Sequence, residues 1–149
     1  MARTQSILND QRGTSLIEFG VAAPVLLLFL TGVADFGRGV SDRHSLQQVV
    51  NRSLEMAQVS TRDNNYSYLA TEAAAAAGVP AGDAVVEQWL ECAGTVKPWA
   101  DDCNGANPAR FVRLTVKRKY TPLFGRMGFW KTSSDGTVTF TAHATLHVR

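Results

Sequence analysis

From Thr14 to Ala34 the chain reads TSLIEFGVAAPVLLLFLTGVA, 21 residues in which Glu18 is the only ionisable side chain. As a helix rising about 1.5 Å per residue, this run spans the roughly 30 Å hydrocarbon layer of a bilayer. A cleaved secretory signal has a shorter apolar region, about 7 to 15 residues, ending at small residues. Ala22, Ala23, Gly32 and Ala34 supply small residues here, but the pattern carries on beyond them without a break. Val33, Phe36, Val40, Leu46, Val50, Leu54 and Ala57 recur mostly at three- and four-residue steps, interrupted only around Arg43-His44. That period predicts one helical face, so the helix is expected to continue to about Val59 and stop near Ser60-Thr61 and the Asp63-Asn64-Asn65 cluster. Half of it would lie in lipid, and half would lay an apolar stripe along a soluble domain.

A chain of 149 residues, less this segment, can bury one modest core. Its net charge of +2 comes from basic residues spread along the chain, apart from the run Lys117-Arg118-Lys119. No broad basic footprint for nucleic acid is present.

Glu18 is expensive where it stands. Insertion scales place an acidic residue at the centre of a membrane helix at about 2.5–3.5 kcal/mol, and less near an end. It either snorkels to the nearby interface or meets a counter-charge. Cleavage after Gly13 would supply one, because Thr14 would then carry an ammonium group below a pKa of about 8. Glu18 would lie one helical turn from that amine and, among parallel helices, within reach of a neighbour's amine; each buried charge is costly alone and tolerable when paired. Pro24 removes a helical hydrogen bond mid-run and is either a tolerated kink or a flexible point used when a subunit leaves the bilayer.

Arg12-Gly13, then Thr-Ser-Leu-Ile-Glu18-Phe19, a Pro-containing apolar run and Asp35-Phe36-Gly37-Arg38 together resemble the TadE-like family of minor pseudopilins of tight-adherence (Flp-type, type IV-like) pilus systems, over roughly residues 12 to 60. The resemblance implies a bacterial protein with a leader at 1–13, cut after Gly13 by a membrane prepilin peptidase on the cytoplasmic side. It also implies a transmembrane helix at 14–36, an extracytoplasmic pilin-like domain at 37–149, and Glu18 in the role of the pilin fifth-position glutamate. Partners implied are the peptidase, other pilin or pseudopilin subunits, inner-membrane assembly proteins and membrane lipid.

The charges flanking the apolar run set orientation only weakly: Arg3, Asp10 and Arg12 precede it, and Asp35, Arg38, Asp42 and Arg43 follow. A short leader ahead of a long C-terminal part favours a cytoplasmic N-terminus in the inner membrane. Cys92 and Cys103, the only two cysteines, agree with an outside domain, since an isolated pair closing a Gly- and Pro-containing loop is most simply a disulfide. Paired CxxC elements for zinc are missing.

The remaining elements read as helix, then sheet. Tyr68 to Ala77 is alanine-rich and stops at Gly78 with Pro80 beyond, and Ala84 to Cys92 is a strand. Residues 111–120 and 137–149 alternate, with Val112, Leu114, Val116 and then Val138, Phe140, Ala142, Ala144, Leu146 and Val148 on one face. The predicted fold is α+β: the N-terminal transmembrane helix continues into an amphipathic helix packed on an antiparallel sheet of about three strands.

Catalytic constellations are not found. His143 and His147 on a strand lie about 13 Å apart, too far to share an ion. Asp101-Asp102 reads as turn chemistry, and Lys117-Arg118-Lys119 as an edge or solvated face. No enzyme, cofactor or metal is expected. Between the last strands, Pro122 to Trp130 carries Leu123, Phe124, Met127, Phe129 and Trp130, which either tuck under the sheet or form a subunit contact. The chain therefore reads as a structural pseudopilin that takes part in assembling or initiating a pilus. The alternative is an extracytoplasmic binding or accessory domain on an uncleaved signal anchor.

Overall fold

A computed structural model describes residues 12–59, 65–105, 107–124 and 131–148, with side chains of the first helix from Leu16 to Gln58. Helix α1 runs Arg12–Val59 without interruption at Pro24. Helix α2, Tyr68–Ala77, follows, and a short 3-10 turn, Ala81–Asp83, leads into four strands: β1 Ala84–Cys92, β2 Thr95–Pro98, β3 Pro108–Tyr120 and β4 Val138–Val148. The sheet is antiparallel, in the order β2-β1-β3-β4.

Local chemistry explains the element ends. Gly78 adopts φ 64°, ψ 36°, a left-handed conformation that costs a glycine least. It closes α2 with Gly78 N–H donating to Ala75 O and Val79 N–H to Ala74 O, the paired bonds of a Schellman motif. β2 is a strand beyond the three expected. Cys92 pairs with Thr95 across a two-residue turn in which Ala93 (φ 48°) and Gly94 (φ 85°) both have positive φ, the backbone of a tight hairpin. Pro98 sits at the end of this edge strand, where its missing N–H costs no ladder bond.

The alternation expected for the long strands holds. Val112, Leu114 and Val116 are fully buried, and Phe140, Ala142 and Val148 are nearly so, against Leu46, Val50, Leu54 and Ala57 of α1 and Leu69, Ala73 and Ala77 of α2. Both helices therefore cover one face of the sheet. The other face is open and carries a cross-strand row in which Trp89 stacks on Phe111 at 5.5 Å and Phe111 meets His147 at 5.2 Å.

One part of the helical stripe needs correction. Val33, Phe36 and Val40 are 55%, 57% and 36% exposed, whereas Asp35 and Gly39 are buried in that stretch and Asp42 is half-buried. The domain-facing line is thus 35-39-42-46-50-53-57, spaced by threes and fours and rotated from the apolar line that leads out of the N-terminal apolar run.

Candidate functional site

The first half of α1 is apolar and uncovered. Leu16, Ile17, Phe19, Val21 and the residues on to Leu30 are between 53% and 74% exposed where large and hydrophobic. Among the described residues one helix, α1 over Leu16–Gln58, is long and apolar enough to cross a membrane, and its most apolar window is 0% buried. Glu18 is exposed near its start, in a shallow strip with Val21, Ala22, Val25 and Phe29, and forms no hydrogen bond or ion pair among the described residues. Gly13 and Thr14 lie in the first turn of α1, and Pro24 is exposed on its surface.

Asp35 stands about 26 Å further along the helix axis and is built in the opposite way. It is only 3% exposed. Its Oδ1 accepts from the Tyr120 hydroxyl at 2.7 Å and the Leu123 N–H at 3.1 Å, and its Oδ2 accepts from the Phe124 N–H at 3.5 Å. The same hydroxyl lies 3.0 Å from the Asp35 carbonyl oxygen. Burial first, then the hydrogen bond to the Asp35 carboxylate, pushes the Tyr120 hydroxyl up to about 12. A tyrosine held protonated is a constant donor, so the end of β3 and the turn after it are tied to α1 where its apolar exposed half ends. Sequence reasoning missed this site, although a carboxylate on the domain-facing line of a helix was its visible signal.

Two further polar ties run up the same interface. Arg118 Nη1 lies 3.7 Å from Asp42 Oδ1, and Arg118 Nη2 donates to the Ala77 carbonyl, so this side chain bridges both helices. Gln47 Nε2 donates to the His143 carbonyl at 3.3 Å. The basic run at Lys117-Arg118-Lys119 lies beyond the Ala84–Val116 pair, where β3 overhangs β1 and is paired with β4 alone, so it is a local edge as expected. Its alternation sends Arg118 inward and leaves Lys117 and Lys119 on the open face.

The other expected sites fall as follows. Cys92 and Cys103 form a disulfide, with Cα atoms 5.4 Å apart, and with Leu90 make a small separate core. Asp102 accepts the Cys103 N–H at 2.7 Å through its side chain and the Lys97 ammonium through its carbonyl, which is turn chemistry. Among the described residues no group of three His, Cys, Asp or Glu side chains is placed to hold a metal. In the β3–β4 connection Pro122 is buried, Phe124 half-buried and Leu123 67% exposed. Met127, Phe129 and Trp130 lie outside the described residues.

Residues 13–53 match the model of the TadE-like protein family. The TadE-like segment is therefore α1 itself, from the Gly13-Thr14 junction through Glu18, Pro24, Asp35 and Asp42 to Ser53. Searches of curated proteins and of solved structures return no match. The resemblance seen in the N-terminal residues thus stands on the helix, and the TadE-like match associates the protein with tight-adherence pilus systems in general.

Proposed function

We propose that this protein is a minor pseudopilin: a non-enzymatic subunit inserted in the bacterial inner membrane that takes part in assembling or initiating a tight-adherence pilus. One observation carries the reading. The TadE-like match falls on a single continuous helix whose first half is exposed and apolar and whose second half is the spine of an α+β domain. In this reading residues 1–13 are a leader removed by a prepilin peptidase, and residues 14–36 span the membrane with the N-terminus cytoplasmic. Residues 37–149 lie outside, where the Cys92–Cys103 disulfide is stable against reduction.

Glu18 is the assembly residue. It has no partner among the described residues of its own chain, and a mature Thr14 amine on a neighbouring subunit would neutralise it in a medium of low dielectric. Pro24 lies six residues beyond Glu18 in the same apolar run and supplies the flexible point for passage from bilayer to filament. Partners are other pilin or pseudopilin subunits and inner-membrane assembly proteins.

Mass spectrometry of the N-terminus of protein extracted from its own membrane is the test. A mature chain beginning at Thr14 supports the pseudopilin. An uncleaved chain retaining the leader supports instead an accessory domain on a permanent anchor.

A further inference from the structure

Three polar ties set a scale along α1. Tyr120 meets Asp35, Arg118 meets Asp42, and the carbonyl of His143, which is paired with Thr115, meets Gln47. β3 therefore descends along the helix toward the apolar half and ends where that half begins. Counting from Ala34, the last residue of the apolar run, Asp35 lies about 1.5 Å beyond, Arg38 about 6 Å and Asp42 about 12 Å. The polar headgroup layer of one leaflet is about 5–8 Å thick. Lys119, between the Asp35 and Asp42 ties, falls within that layer, and Lys117, above the Asp42 tie, falls outside it.

Leu123 lies at the level of Asp35, at the end of β3 nearest the apolar half. Its N–H is bonded to Asp35, yet its side chain is 67% exposed. A large aliphatic side chain anchored through its backbone at this height and left uncovered by the described residues matches a bilayer surface better than water. Arg38 and Lys119 are exposed near the same height. Lys119 approaches Asp135 at 3.9 Å, but both partners are solvent-facing and such a pair holds weakly.

We infer that the Leu123 turn and its flanking cations form a membrane-surface contact: Leu123 inserts at the interface of the leaflet on the domain's side, while Arg38 and Lys119 take the phosphates of anionic lipid headgroups. The inference rests on the reading that the first half of α1 lies in lipid, and it goes beyond pilus assembly by fixing how the domain sits before it leaves the bilayer. The partner is bilayer lipid because the contact is continuous with the span and its charge is complementary to anionic headgroups. The domain then stands on the membrane at a set height and tilt.

The test uses the full chain in nanodiscs, one copy per disc, with an environment-sensitive fluorophore on Leu123→Cys and, separately, on the neighbouring Thr121→Cys, the disulfide left oxidised. Leu27→Cys in mid-span and Val85→Cys on the open sheet face serve as references. Doxyl-labelled lipid should quench the probes at 123 and 27 and leave the probe at 85 unaffected. With phosphatidylglycerol added to phosphatidylcholine, anionic lipid should enrich around the protein at low salt. Arg38→Gln and Lys119→Gln should each lower that enrichment roughly fivefold, and Lys117→Gln much less. Quenching at 27 but at neither 123 nor 121 overturns the inference and leaves the span intact; no quenching at 27 removes the span itself. A signal at 123 that arises only with two copies per disc makes the turn a subunit contact and overturns it too. Equal effects of Lys117→Gln and Lys119→Gln overturn the headgroup assignment.

Discussion

Replacing Tyr120 by phenylalanine removes one oxygen and keeps the ring that stacks on Phe140 at 5.7 Å. What is lost is a hydrogen bond of 2.7 Å to a buried carboxylate. Bonds of that charge-assisted kind contribute about 1.5–3 kcal/mol, so Tyr120→Phe should destabilise the domain by about that amount out of a typical total of about 5–15 kcal/mol. Asp35→Ala strips the acceptor from Tyr120 and from the Leu123 N–H at once and should cost more, about 3–5 kcal/mol. Urea unfolding of the full chain in nonionic micelles, followed by tryptophan fluorescence, measures both. Hydrogen exchange at the Leu123 amide reports the tie directly and should speed up in each variant. The pH dependence has a definite sign. The folded hydroxyl titrates at about 12 against 10.0 for a free tyrosine, so its contribution is whole below pH 10 and is lost as pH rises through 12. The stability gap between wild type and Tyr120→Phe should therefore be flat below pH 10 and close above it. A gap under about 0.5 kcal/mol at neutral pH, with Leu123 exchange unchanged, would refute the tie.

Glu18→Gln should insert at least as well as wild type, because an amide is cheaper than a carboxylate in lipid, and should still be cleaved; assembly should fail, since an unpaired buried ammonium costs about 3–5 kcal/mol. Equal crosslinked complexes and normal piliation would reduce Glu18 to a snorkelling residue. A bulky residue at Gly13 should leave a precursor heavier by its leader, and maturation to the wild-type mass would show that Gly13 is not read by the peptidase. Reducing Cys92–Cys103 should lower stability by about 2–3 kcal/mol, given 11 residues of separation; full alkylation of both thiols without reductant, in protein from its own envelope, would contradict a native disulfide.

Elements governed by a local rule were legible in the residues. The end of α1 at Val59, the stop of α2 at Gly78 and the inward face of β3 at Val112, Leu114 and Val116 each follow from period or from a single conformational preference. β2 was not legible, because Ala93-Gly94 lacks the Asn-Gly or Asp-Gly signature of a tight turn and the segment between two cysteines reads as loop. The face of α1 between Val33 and Val40 misled for a different reason. Periodicity equates apolar with domain-facing, and that equation breaks where a helix passes from lipid to protein, so that Val33, Phe36 and Val40 stay uncovered while Asp35 turns inward. The Asp35–Tyr120 tie joins residues 85 positions apart, a pairing that only the descent of β3 along α1 creates. Arg118 was hidden in the same way, its charge masking a place on the inward face.

α1 has 48 residues and a length of about 72 Å, and no linker divides the part that carries the sheet from the part that is apolar and exposed. A pull on the domain is therefore carried by backbone hydrogen bonds in series, and the series is only as stiff as its softest member. Pro24 has no N–H to offer the Gly20 carbonyl, so one rung is missing there, among side chains that no other described part of the chain braces. Above Asp35 the helix is clamped to the sheet at three heights and cannot stretch without unfolding the domain. If the pseudopilin reading holds, extension, bending and torsion would concentrate at Gly20–Pro24, and the described part of the molecule would act as a rigid lever mounted on a compliant joint.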